Sequence, residues 1–315
     1  MVRPAKFRLH SPRQWGSTLS STASLRAKLP KTPLGIVGLT FLVAAGLSIL
    51  ISFIQRPQSV TQLLVIGLSN GATYALIALG YTMVYGIIEL INFAHGDMFM
   101  LCSVFGGVMI NNWFNQNAPS GKAYAFLAAT LVLTMLFGAL MNMTIERLAY
   151  RRLRNAPKLA PLITAVGVSF ILQFIGLSWN GSGPKNWETA LPDHDFTFLN
   201  ITVNSQALIV LGVTLPLLAL MTFIVSRTRA GKAMRATAQD QDAARLMGIN
   251  VNRTISFTFA MGGALAGAAG VMYQQTVGTT NYNLGFQLGL IAFTSRSEEH
   301  TSELQSRQYL VCRLL

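Results

Sequence analysis

The sequence predicts an all-α protein, a polytopic bundle of about seven to eight membrane-spanning helices in a chain of 315 residues. Three observations carry this reading. Hydrophobic residues make up 51% of the chain and charged residues only 11%, against roughly a quarter charged in soluble domains. The mean hydropathy is +0.45. Apolar runs recur near 34–54, 61–88, 98–113, 123–145, 160–179, 206–226 and 254–277, and another begins at 285–294, where a span needs about 20 helical residues. No large soluble domain fits between them.

Residues 1–33 hold seven basic residues (Arg3, Lys6, Arg8, Arg13, Arg26, Lys28 and Lys31) and no acid; the first acid in the chain is Glu89. An organellar transit peptide has similar composition, but the segment reads better as a basic cytoplasmic tail. The apolar run 34–54 is too long for the core of a secretory signal, and no small-residue cleavage site follows it. The net charge of +13 suggests nucleic acid until its distribution is considered. The segment after the fourth run carries Arg147, Arg151, Arg152, Arg154 and Lys158, and that after the sixth carries Arg227, Arg229, Lys232, Arg235, Arg245 and Arg253. With simple alternation, these fall on the same side as the tail, against only Arg56, Lys122 and Lys185 opposite. The positive-inside bias then places the N-terminus in the cytoplasm, and no nucleic-acid partner is needed. Cys102 and Cys312 imply neither a disulfide framework nor a zinc site.

The run at 61–91 is longer than one ordinary span, so tilt, a break or a re-entrant stretch is expected. Gly67, Gly71, Tyr74, Ala78, Tyr81 and Tyr85 follow a 4-3-4-3-4 spacing that places them on one helical stripe, with Asn70 and Thr73 beside it. Two readings stay open. The stripe packs against another helix, or Asn70, Thr73, Tyr74 and Tyr81 line part of a transport path, since polar groups within a bilayer are costly. The block Ile91–Asn92–Phe93–Ala94–His95–Gly96–Asp97 interrupts the apolar pattern. Asp97 is expected to cap the next helix; His95 and Asp97 without a third ligand make a poor metal or relay signal. In the run 254–277, Gly263 and Gly267 form a GxxxG pair, with Gly262, Ala266 and Gly270 repeating the spacing, so tight packing is expected within the subunit or across a dimer.

Between the last two long runs lies the basic loop 227–253. Ala233–Met247 is rich in helix formers and ends at Gly248, a position suited to a C-terminal cap, so one short amphipathic helix is expected. Leu246, Met247 and Ile249 give it an apolar tip; Arg235, Asp240, Asp242 and Arg245 give it charged flanks. Periodicity alone leaves a membrane-surface helix and a docking helix equally open.

The segment Asp242–Ala243–Ala244–Arg245–Leu246–Met247–Gly248 resembles the EAA-x3-G coupling loop of ABC importer permeases, with Asp in place of Glu. Together with GLSNGATYALIALGYTMVYGIIELINFAHGDMFM (67–100), GKAMRATAQDQDAARLMGI and AMGGALAGAAGVMY, it resembles the high-affinity branched-chain amino acid permeases of the LivH type over roughly 60–294. The resemblance implies a permease subunit of the bacterial inner membrane in an ATP-driven importer for leucine, isoleucine and valine. Its implied partners are a second related permease, two ATP-binding cassette ATPase subunits and a periplasmic binding protein. Arg235, Asp242, Ala243, Ala244, Met247 and Gly248 would couple to the ATPase, with the two alanines permitting close approach and Met247 filling a pocket. Gly231–Lys232 lacks the upstream Gly and the following Ser or Thr of a phosphate-binding loop, so ATP and Mg are expected on the partner ATPase and no cofactor or metal on this chain.

The loop 180–205, with Trp187, Glu188, Asp193 and Asp195, is then either a contact for the binding protein or a solvated connector. Urea or short amides are the alternative cargo. A secondary carrier or channel is disfavoured because the predicted span interiors hold almost no ionisable groups, and no constellation of catalytic residues suggests an enzyme. From residue 295, SRSEEHTSELQSRQYLVCRLL breaks the apolar pattern and is expected to be a non-native tail on a truncated frame.

Overall fold

The computed structural model describes residues 33–88, 92–113, 120–154, 156–157, 159–187, 195–198 and 201–291. The expectations for the basic tail, for Glu89–Ile91, Lys158, Glu188 and Asp193, and for the segment after 291 fall outside the described residues. The chain divides into two units, residues 1–55 and 56–315. Of the first, the described part is one apolar helix, α1 (Pro33–Gln55), whose exposed side chains include Phe41, Leu47 and Ile54.

The second unit is helical throughout its long elements: α2 (Pro57–Ile88), α3 (Ala94–Trp113), α4 (Ser120–Ile145), α5 (Leu159–Asn180), α6 (Ser205–Arg227), α7 (Arg229–Gln239), α8 (Gln241–Leu246) and α9 (Val251–Val277), with residues 284–291 helical after it. Four short strands complete it: β1 (Lys185–Asn186), β2 (Asp195–Phe198), β3 (Ile201–Asn204) and β4 (Thr279–Thr280). The strands β2 and β3 form an antiparallel hairpin with Asp195 opposite Asn204. Each long run of the sequence thus appears as a helix, and five of the described helices, α2, α4, α5, α6 and α9, are long and apolar enough to cross a membrane. Their outward faces carry large apolar side chains such as Leu136 and Leu140 on α4, Phe170 and Phe174 on α5 and Phe223 on α6. Apolar outside as well as inside is the pattern of a chain solvated by lipid.

Gly-rich α9 is the centre of the bundle. It is 83% buried over its apolar window, whereas the other four candidate spans reach at most 33%. The reason lies in its glycines, which meet three helices on three sides. A Cβ on Gly263 would lie 2.2 Å from the Gly138 carbonyl oxygen of α4, one on Gly267 2.5 Å from that of Thr134, and one on Gly270 2.7 Å from the Ser103 amide of α3. On the third side, a Cβ on Gly262 would stand 3.3 Å from the Gly80 carbonyl oxygen of α2. The GxxxG pair therefore packs within the subunit, and the dimer reading for it is set aside.

The long second run is one unbroken helix of 32 residues, opened by Pro57, a residue suited to a first helical turn. At 1.5 Å per residue it spans about 48 Å, so tilt or protruding ends absorb the excess and a break does not. Asp97 is not a cap. Helix α3 already begins at Ala94, and the Asp97 carboxylate instead accepts hydrogen bonds from the Ser169 hydroxyl and the Gln173 amide of α5, the latter at 3.3 Å. It joins two helices where the sequence reading had it close one. Asp97, in the first turn of α3, and Glu146, just past the end of α4, are both wholly buried.

Candidate functional site

The basic loop folds as two helices rather than one, because Asp240 breaks it. Its backbone is extended, and its carboxylate accepts the amides of Asp242 (2.8 Å) and Ala243 (3.0 Å), capping α8. At the other end, Gly248 adopts a left-handed conformation (φ 80°), its amide bonds to the Arg245 carbonyl, and the Ile249 amide bonds to that of Ala244. This paired closure satisfies carbonyls that a helix end leaves free, and a side chain at Gly248 would be strained by the backbone angle. Asp242 and Arg245 pair at 2.9 Å in the open, a contact worth about 0–1 kcal/mol.

The base of this element is fixed to the bundle. Thr228 caps α7 through the Gly231 amide (3.1 Å), and Gly231 presses on the last turn of α6, where a Cβ would come within 2.2 Å of the Val225 carbonyl oxygen. Arg235 donates to that same carbonyl. Met234 and Thr237 turn inward from α7, Ala244 is buried under α8, and Gln241 donates to the Ile87 carbonyl at the end of α2 (3.3 Å). The tip is the opposite: Leu246 is 89% and Met247 82% exposed. Two apolar side chains thus stand on a rigid base with no cover among the described residues.

This arrangement corrects part of the expected set. Ala244 faces the subunit's own core, in the same buried cluster as Met234, Val251 and Ile255, so only Ala243 of the alanine pair lies on the outer face. Arg235 closes the α6–α7 corner. Met247, Asp242 and Gly248 are exposed. Sequence reasoning missed the anchoring roles of Gly231, Asp240 and Gln241. A signal existed for one of them: Asp240, with its short acceptor side chain, sits where a helix start is readily capped.

A second polar assembly anchors α4 to α9. After Ile145 the helix widens into a π-helical turn, Glu146–Tyr150, followed by a 3-10 turn, Arg151–Leu153. The wider turn brings Glu146 and Tyr150 to the interior together. Glu146 is held by Arg154 and by the Ser256 hydroxyl (2.6 Å), and Tyr150 donates to Asn92 (2.7 Å). Asn142 donates to the Phe259 carbonyl at 2.7 Å. Glu146→Ala is expected to destabilise the subunit by about 3–5 kcal/mol, because it strands a half-buried guanidinium. The double variant Glu146→Gln, Arg154→Met should recover most of this in thermal unfolding followed by size-exclusion chromatography.

The candidate transport residues on α2 separate into two groups. Thr73 is buried and donates to the Ser69 carbonyl (3.2 Å), and Tyr81 is buried edge-on against His95, with ring centroids 4.8 Å apart. Both lie among the subunit's own helices. Asn70 and Tyr74 are half-buried on the side of Gly67 and Gly71, which are open, with nothing within 4 Å of where a Cβ would stand. Among the described residues, then, the inner side of α2 packs on the subunit's own helices, and the glycine end of the stripe meets none of them.

Trp187 is not a free contact. It is buried over Gly107 of α3, its indole donates to Thr280 Oγ1, its backbone amide bonds to the Gly278 carbonyl (2.8 Å), and β1 pairs antiparallel with β4. Lys185 lies 4.5 Å from the ring centroid. The tryptophan fastens its loop to the end of α9.

A family model described as branched-chain amino acid transport system / permease component matches residues 63–296. The high-affinity branched-chain amino acid transport system permease protein BraD of Pseudomonas aeruginosa is 38% identical over 240 residues, 74% of this chain and 77% of that protein. The corresponding protein LivH of Escherichia coli K12 is 39% identical over 239 residues, 73% of this chain and 75% of that protein. The autoinducer 2 import system permease protein LsrC of Escherichia coli is 23% identical over 238 residues, covering 74% of this chain and 62% of that protein. No solved structure matches the chain.

Proposed function

Because the chain belongs to the family of branched-chain amino acid transport system permease components, we propose that it is the membrane-spanning subunit of an ATP-driven importer for leucine, isoleucine and valine. In this reading it lies in the bacterial inner membrane with its N-terminus in the cytoplasm. It works beside a second related permease, two ATP-binding cassette ATPase subunits that bind ATP and Mg, and a periplasmic binding protein that selects the cargo.

The observation that supports it best is the contrast within the α7–α8 element: a base buried through Met234 and Ala244, and a tip of exposed Leu246 and Met247. An apolar tip on an anchored base suits a groove on a partner protein. Motion of that partner would pass through Ile249 and Val251 into α9, which touches α2, α3 and α4 by close glycine contacts. A packed core transmits displacement as rigid-body movement, so the element would rock the bundle between outward and inward openings. Asn70 and Tyr74, on the open side of α2, are the path residues this reading retains.

Reconstitution tests it. Proteoliposomes holding this subunit, the second permease, both ATPases and the binding protein are expected to accumulate leucine with ATP and to ignore urea. Leucine uptake by this chain alone without nucleotide, or preference for urea, would overturn the proposal.

A further inference from the structure

The π-helical turn after α4 and the first turn of α9 border an open recess of about 430 Å3 lined by Arg147, Arg151, Arg253, Asn250, Asn252 and Phe257, among others. The three arginines are exposed, and none has an acidic partner among the described residues. The carboxylate behind the recess, Glu146, is wholly buried and already neutralised by Arg154, with Ser256 on its other oxygen. Asn252 accepts from Arg154 at 2.7 Å, so the wall of the recess is itself part of that network. The 27-residue helix α9 begins here, capped by Asn250, and adds the positive end of its backbone dipole. Three uncompensated guanidiniums and a helix start converge on one concavity.

Topology alone requires basic residues in this segment but not their convergence. Two further features identify what would fill the space. All three cations are arginine, whose planar fork suits phosphate oxygens better than a lysine point charge does. From Arg147, the residues Met143, Leu140, Leu136 and Leu133 continue down α4 at 4-3-4-3 spacing, with the three leucines exposed or nearly so (56%, 54% and 37%). The recess suits an anionic group with an apolar extension, and the membrane supplies one.

We propose that this recess binds the phosphate headgroup of an anionic phospholipid, one acyl chain lying along the Met143–Leu140–Leu136 ridge. The proposal needs only the membrane-embedded bundle and not the identity of the cargo. Native mass spectrometry of the full chain in mild detergent, titrated with phosphatidylglycerol or phosphatidylcholine, is expected to show selective retention of phosphatidylglycerol. Arg151→Gln with Arg253→Gln should weaken it by about fivefold per arginine. Asn252→Asp, which keeps the oxygen that Arg154 uses and leaves the basic residue count unchanged, should weaken it similarly by placing a negative charge at the mouth. Removing the same number of charges elsewhere, by Arg227→Gln with Arg229→Gln, should leave retention at the wild-type level.

Equal retention in all variants would overturn the proposal, as would equal losses in the recess and control variants. Displacement by equimolar inorganic phosphate would reassign the recess to a free anion. Unchanged lipid retention with lost ATPase co-purification would reassign it to a protein partner.

Discussion

Gly263→Ile is expected to abolish the folded subunit: no monodisperse peak in detergent, and no recoverable thermal transition. A Cβ at this position would stand 2.2 Å from the Gly138 carbonyl oxygen, and a Cβ at Gly138 would stand 2.2 Å from that of Gly263, so the contact is backbone against backbone on both sides. No rotamer relieves it. Overpacking in a core costs about 1–3 kcal/mol when side chains can move; here α4 and α9 must part, and the loss should exceed that range against a total stability of about 5–15 kcal/mol. Gly67→Ile, where nothing lies within 4 Å, should leave the isolated subunit folded with an unchanged melting temperature. If both variants fold equally well, the central packing of α9 is wrong.

Met247→Glu combined with Leu246→Asp is expected to have the second largest effect, on function alone. Both side chains are more than four-fifths exposed, so stability should change by less than about 0.5 kcal/mol. A charge set into an apolar groove is costly unless paired, and ATP-dependent leucine uptake in the reconstituted system should fall by about a hundredfold or more, with the ATPases no longer co-purifying. Ala244→Glu, by contrast, should lower the melting temperature, since Ala244 is buried in the subunit's own core. Uptake at the wild-type level in the tip variant would separate the α7–α8 element from energy coupling.

The contrast between Met247 and Ala244 illustrates what a local pattern conveys. The sequence motif grouped Ala243, Ala244, Met247 and Gly248 as one surface. The fold turns Ala244 inward and leaves Met247 outside, because Asp240 starts a fresh helix and so resets the face. The α2 stripe behaves similarly. Small residues at 4-3 spacing mark where a backbone can be approached closely, yet they do not say by what. The inner face of α2 is taken by α9 and leaves Gly67 and Gly71 open. Trp187 lies in a loop that reads as a binding-protein contact or a solvated connector, and the pairing of β1 with β4 carries it over Gly107. Glu146 and Arg154, eight residues apart, meet across the π-helical and 3-10 turns that lie between them.

The sequence by itself determined the class of solvent, the position of each long helix, the sharp turn at Gly248 and the intimate contact at Gly263 and Gly267. These follow from composition and from 3.6-residue periodicity, which are local properties of a chain crossing hydrocarbon. The tertiary structure alone decided which helix is central, that Asp97 bonds to α5 and Glu146 to Arg154 and Ser256, and which side of the α7–α8 element is free. Those outcomes depend on long-range pairings, where a residue's role is set by the neighbour that packing brings to it.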